Sequence, residues 1–178
     1  MRIVAISGSL RAASSNAAVL RAVAMLAPAD VEVALYEELG ELPQFNPDDD
    51  DTPGPVVERW RALLRAADGL LVSSPEYAHG VPGSLKNALD WVVGSGELER
   101  KPLGLINASP RATHAQASLH ETLTIMSATL VPAACVALPV SGRDLDAAGI
   151  IADPELAAGL RAALTALIAE ISRPPEDA

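Results

Sequence analysis

Short apolar runs alternate along the chain with longer segments whose apolar residues recur at helical spacing. "RIVAIS" is followed by "AAVLRAVAML", "VEVALY" by "PVVERWRALLRAA" and "GLLVSS" by "PGSLKNALDWVV". "PLGLINA" then precedes "ATHAQASLHETLTIMSATL", and "CVALPV" precedes "DPELAAGLRAALTALIAEI". Five strand–helix repeats with near-continuously apolar strands predict a parallel sheet with helices on both faces, an α/β sandwich of three layers. Asn16 or Ser15 is the expected cap of the first helix, Pro55 lies near the start of the second, and Asp153-Pro154 begins the last. Right-handed crossovers leave few strand orders, of which 2-1-3-4-5 suits a short chain. Ligands of such sheets bind beyond the C-terminal strand ends, where the order switches between the first and third strands. The loops after Ile6 and after Ser73 are therefore the ones to read.

Length bounds this picture: 178 residues, 49% of them hydrophobic, suffice for one domain with a sizeable core, and residues 1–178 are read as that domain. A formal charge of −10 provides no diffuse positive field, which argues against nucleic acid as a partner. No apolar run has the length of a membrane span, so no membrane partner is expected and a cytoplasmic location is. The one cysteine, Cys135, cannot close an internal disulfide and reads as a small core residue in a buried strand. The acidic run Asp48–Asp51 lacks the alternating ligands of a calcium loop and reads as a solvated turn. The tail "SRPPEDA" reads as frayed.

The first loop, "SGSLRAASSN", couples a glycine at the strand end to hydroxyls, an amide and one fixed positive charge. Gly8 is expected to let the backbone approach a ligand. Ser9, Ser14, Ser15 and Asn16, with Arg11 and the opening amides of the helix, make a site that favours an anion, most naturally a phosphate. The Gly-Lys-Ser/Thr ending of a triphosphate loop and the G-x-G-x-x-G of a dinucleotide loop are both missing, which leaves a monophosphate such as that of FMN. On this loop alone, a phosphate cradle and an ordinary polar turn stand even.

The second loop, "SSPEYAHGVPGSLKNALDW", is stiffened by Pro75 and Pro82-Gly83 and carries Glu76 and Tyr77, so that its backbone groups can meet the edge of a planar ring. Gly8-Ser9-x-Arg11-x-x-Ser14-x-Asn16 after the first strand, with Pro75-Glu76-Tyr77 and Val81-Pro82-Gly83-x-Leu85-Lys86-Asn87-Ala88-Leu89-Asp90-Trp91 after the third, resembles the NADPH-dependent FMN reductase family. "SGRDLDAAGIIADPELAAGL" is similar to that family's final loop and helix. The resemblance implies a flavodoxin-like fold and an FMN-dependent oxidoreductase, with NADPH or NADH as donor and a quinone-like small molecule as acceptor, in ping-pong. It implies that Ser9, Arg11, Ser14, Ser15 and Asn16 hold the FMN phosphate, that Pro75, Glu76, Tyr77 and Ala78 run beside the ring, and that Ser109 is a third-loop contact. It also implies a homo-oligomer, dimer or tetramer, with the segment around Lys86–Trp91 near the interface; an exposed Trp60 or Trp91 would agree.

The chain departs from the family in two stretches. Pro110, Arg111, Ala112 and Thr113 stand where glycines are common, and Arg111 is a candidate donor to a flavin carbonyl or a cofactor phosphate. Ala78 and His79 replace an asparagine and an aromatic, and His79 is expected to face solvent. His114 and His120, six residues apart on one helix, do not form a metal pair, and no zinc spacing occurs. No G-x-S-x-G elbow is present for a serine hydrolase. Glu76 reads as a cap within a loop rather than a general base. A flavodoxin-like one-electron carrier is the alternative reading, which the acidic balance permits.

Overall fold

The computed structural model describes residues 1–174; the last four residues of the "SRPPEDA" tail lie outside that range. Strand β1 (Arg2–Ser7) leads through the first loop into α1 (Ser15–Leu26), and β2 (Glu32–Tyr36) is followed by α2 (Gly54–Ala66). Next come β3 (Gly69–Ser73), α3 (Gly83–Asp90), β4 (Pro102–Asn107) and α4 (Thr113–Ile125). Two short strands, β5 (Thr129–Leu130) and β6 (Val136–Ala137), precede α5 (Ala147–Ala152) and α6 (Pro154–Ile171). All pairings are parallel and the order is β2-β1-β3-β4-β5, with β6 also on β4.

Alternation along β1 builds two cores from one strand. Ile3 and Ala5 pack with Leu71 and Ile106 under α1, α5 and α6. Val4 and Ile6 pack with Leu70, Val72 and Leu105 under α2, α3 and α4. Burial on both faces is why these strands read as continuous apolar runs.

The fifth strand differs from the run expected at Cys135–Val140. It is split, with β5 pairing Pro102 and Leu103 and β6 pairing Ile106 and Asn107. Pro132 has no N–H to extend the ladder, and the chain makes a 3₁₀ turn over Pro132–Ala134. Gly104 of β4 receives that turn: a Cβ there would lie 2.9 Å from the Ala134 carbonyl oxygen. Cys135 consequently ends the turn, half-buried and outside any strand, with burial pushing its thiol up. The predicted helix over 112–130 stops at Ile125, because Thr129 and Leu130 join the sheet.

Both indoles lie inside. Trp60 and Trp91 are each 1% exposed, and their Nε1–H groups donate to the carbonyls of Ala88 and Pro43. Exposure of a tryptophan therefore gives no support to an oligomer. Asn87, expected near an interface, is buried and ties the 43–45 segment to α3 by donating to Pro43 and accepting from the Phe45 amide.

Candidate functional site

The loops after β1, β3 and β4 meet at the C-terminal edge of the sheet around a cavity of about 280 Å³. Ser9, Arg11, Ser14, Ser15 and Asn16 line one wall, and Pro75, Glu76, Tyr77 and Ser109 line the other. Ala78 is exposed at the tip of the second loop and Arg111 is exposed beyond the third; neither belongs to the lining. Ser74, Ala108 and Ser141 do belong to it and were not singled out from sequence. Ser141 opens the "SGRDLDAAG" stretch, whose likeness to the family was the available signal.

The helix cap is one residue earlier than expected. Ser14 has an extended backbone, and its Oγ accepts from the Ala17 amide at 3.4 Å. That position frees the amides of Ser15 and Asn16, the first two of α1, which find no acceptor among the described residues. Asn16 is buried and its Oδ1 accepts from Ser73 Oγ at 2.9 Å, pinning the helix start to the end of β3. Arg11 is exposed and forms no ion pair among the described residues. Two helix-terminal amides, serine hydroxyls and an unspent guanidinium form a donor set that fits a phosphate.

Gly8 also has a packing task. Its N–H donates to Ser73 O at 2.8 Å, and a Cβ on it would sit 2.5 Å from Ser74 Oγ. It lets the first loop pack closely against the second.

The second and third loops are joined by side chains distant in sequence. Glu76 Oε2 accepts from the Ala115 amide at 2.9 Å, capping α4, whose own N-cap residue Ala112 offers no side-chain bond. Its carboxylate is thereby a cap, though of a helix rather than of its own loop. His79 is exposed, as expected, and stacks on the equally exposed His114 with ring centroids 4.2 Å apart. Asn107, buried at the end of β4, accepts from the Ser109 amide at 2.9 Å and donates to Ala112 O at 3.0 Å, fixing the third loop without glycines.

Behind the first loop lies a second cleft of about 330 Å³, which Tyr36 helps to line. The Tyr36 hydroxyl is buried with no hydrogen-bond partner among the described residues, and its ring lies 4.6 Å from Trp60. Burial, then the charges of Glu38 and Glu41, push its pKa up to about 12.

A doubly wound sheet in this order, with an anion-receptive loop at the strand switch, defines a flavodoxin-like protein of the flavin oxidoreductase class. The chain belongs to the NADPH-dependent FMN reductase family, whose model matches residues 1–142. It is an oxidoreductase that works with FMN and takes electrons from NAD(P)H. It is 34% identical to an NAD(P)H-dependent FMN reductase of Pseudomonas aeruginosa, over 82% of this chain and 85% of that protein. It is 37% identical to the quinone reductase of Escherichia coli over 52% of this chain and 50% of that one, so the match spans about half of that relative. The solved structure of FerB, a flavoenzyme NAD(P)H:(acceptor) oxidoreductase from Paracoccus denitrificans, superposes with a TM-score of 0.79 at 27% identity, covering 96% of each chain. No described helix is long and apolar enough to cross a membrane.

Proposed function

We propose that the chain passes electrons from NAD(P)H through FMN to a quinone-like small molecule in ping-pong fashion, with donor and acceptor using the same face of the cavity in turn. The observation that carries this reading is the unpaired Arg11 beside the open amides of Ser15 and Asn16, at the switch in strand order. In this reading Ser9, Arg11, Ser14, Ser15 and Asn16 hold the FMN phosphate, and the positive end of α1 favours its charge. Pro75, Glu76 and Tyr77 flank the ring on one side and Ser109 on another, with Ala78 at the rim. FMN supplies the hydride and two-electron chemistry, while the chain supplies binding, orientation and electrostatics. Glu76 has no acid–base role in this scheme; its carboxylate caps α4 through the Ala115 amide. Arg111, outside the lining, is assigned to the phosphates of the incoming donor. The likeness of Val81–Trp91 to the family supports a homo-oligomer, which light scattering would measure.

The test is an anaerobic visible spectrum after FMN loading and desalting, followed by NADPH and then a quinone. Bleaching by NADPH and recovery with quinone is the expected result. Flavin retained but untouched by NADPH or NADH would transfer the chain to the electron-carrier class, and no retained flavin would overturn the phosphate assignment.

A further inference from the structure

At the tip of the second loop the chain turns through Ala78 and His79, whose φ angles are 49° and 62°. Tyr77 and Gly80 close the turn with reciprocal backbone bonds of 3.1 and 2.9 Å. Positive φ at both central positions is the signature of the type I′ hairpin turn, which favours Asn-Gly and strains residues that carry a Cβ. Such strain persists where the surroundings over-determine it. Here the His79 ring lies on the His114 ring at 4.2 Å with an interplanar angle of 20°.

His114 is in the first turn of α4, next to Ala115, whose amide donates to Glu76. The second loop is therefore tied to α4 at two points, one a carboxylate on an amide and the other a pair of imidazoles. The two rings come from the neighbourhoods of the two stretches in which the chain departs from its family. The replacement after Tyr77 meets a residue of the segment that follows the glycine-poor third loop.

We propose that the His79–His114 stack is a pH-dependent clasp that positions the Tyr77 turn at the rim of the cavity. Its effect on turnover rests on the flavin reading above; the clasp itself is a property of the chain. Imidazole is the side chain that ordinarily gains charge between pH 8 and 5. Neutral rings stack, whereas two protonated rings at this separation repel.

The surrounding charges do not offset that repulsion. Neither ring forms an ion pair among the described residues. On the loop, Glu76 is spent on the Ala115 amide. Lys86 and Asp90 of α3 pair with each other. Arg111 precedes α4 and adds positive charge, as does the positive end of the helix. Glu121 lies two turns further along α4, on the same side as His114 by helical spacing. The clasp is closed at neutral pH and opens as acid protonates both rings. Opening lets the strained turn relax and frees Tyr77, a cavity-lining residue 57% exposed. Tyr77 and the two histidines are positioning and rim residues; none exchanges a proton with substrate.

The deciding measurement is the imidazole carbon–proton correlation spectrum of the full chain, free of flavin, between pH 8 and 5. In the unmodified chain the His79 ring protons should be shifted upfield by stacking at the alkaline end and lose that shift in acid. His114→Phe should keep the upfield shift throughout, since it keeps a plane and removes a charge, and His114→Ala should lack it at every pH. His79→Asn, which suits the positive φ, should keep the turn while freeing His114. With flavin and NADPH present, the KM for a quinone should rise several-fold in acid in the unmodified chain with little change in kcat. That dependence should be absent in His114→Phe. Identical His79 shifts in His114→Ala and the unmodified chain, or a stack that survives acid, would overturn the clasp. A chain that fails to bind flavin would sink the functional reading while these spectra still decide the clasp.

Discussion

The first and third loops leave neighbouring regions of one sheet and run into helices, yet they use their polar groups in opposite ways. The third loop is fixed mainly from within, since Asn107 accepts from Ser109 and donates to Ala112, while Glu76 of the second loop caps the helix that follows. The first loop is held mainly from outside, by Gly8 against Ser74 and by Asn16 on Ser73, and keeps Arg11 and two helix-terminal amides unspent. Binding capacity gathers in the loop that others hold in place, and positional precision in the loop that holds itself.

The largest expected effect falls on the self-held loop. Asn107→Leu removes one buried and one part-buried hydrogen bond and strands their backbone partners, so urea unfolding should show a loss of about 3 kcal/mol. Arg11→Ala inverts that pattern: FMN affinity falls by about 1.5–3 kcal/mol, roughly 10–150-fold by fluorescence titration. Its folding stability should stay within about 0.5 kcal/mol of the parent. Equal losses of stability in the two variants would break the comparison.

Gly8→Ala should cost about 2 kcal/mol by forcing the first two loops apart, and adding Ser74→Gly should recover part of that loss. Ser14→Ala should cost about 1 kcal/mol through loss of the cap on α1. The smallest effect is reserved for the cleft behind the first loop. Tyr36→Phe removes a hydroxyl that has no partner among the described residues and should leave neutral-pH stability unchanged. The unfolded phenol titrates near 10 and the folded one at about 12, so the folded chain keeps its proton longer. The stability this provides is complete below pH 10 and is lost as pH rises towards 12. An alkaline denaturation series should show that decline in the parent and a flatter one in Tyr36→Phe.

What the sequence made legible was whatever rests on neighbours in the chain. The apolar runs located β1 to β4 and the crossovers, and the Ser-Gly-Ser loop with its arginine marked the place where Arg11 forms no ion pair among the described residues. Asp153 was readable as the cap of α6, and its side chain does accept from the amides of Glu155 and Leu156. Features requiring a distant partner stayed hidden. The end of α4 depends on the sheet claiming Thr129, and the break in the fifth strand depends on Gly104 admitting Ala134. The Glu76 cap joins residues 39 positions apart, and the histidine stack joins the second loop to α4, which sequence treats separately. Asn107 went unnoticed because an asparagine at a strand end carries no local sign of which bonds it will make.

The break between β5 and β6 also governs how this molecule behaves in a crowd. An uninterrupted outer strand exposes a row of unpaired amides and carbonyls that a foreign chain can extend into a shared sheet. On the β5/β6 border each strand is two residues long, and a proline-led 3₁₀ turn separates them. An intruding segment would find no register to continue. The same Gly104 that admits the turn thus helps to keep this border of the sheet from seeding aggregation.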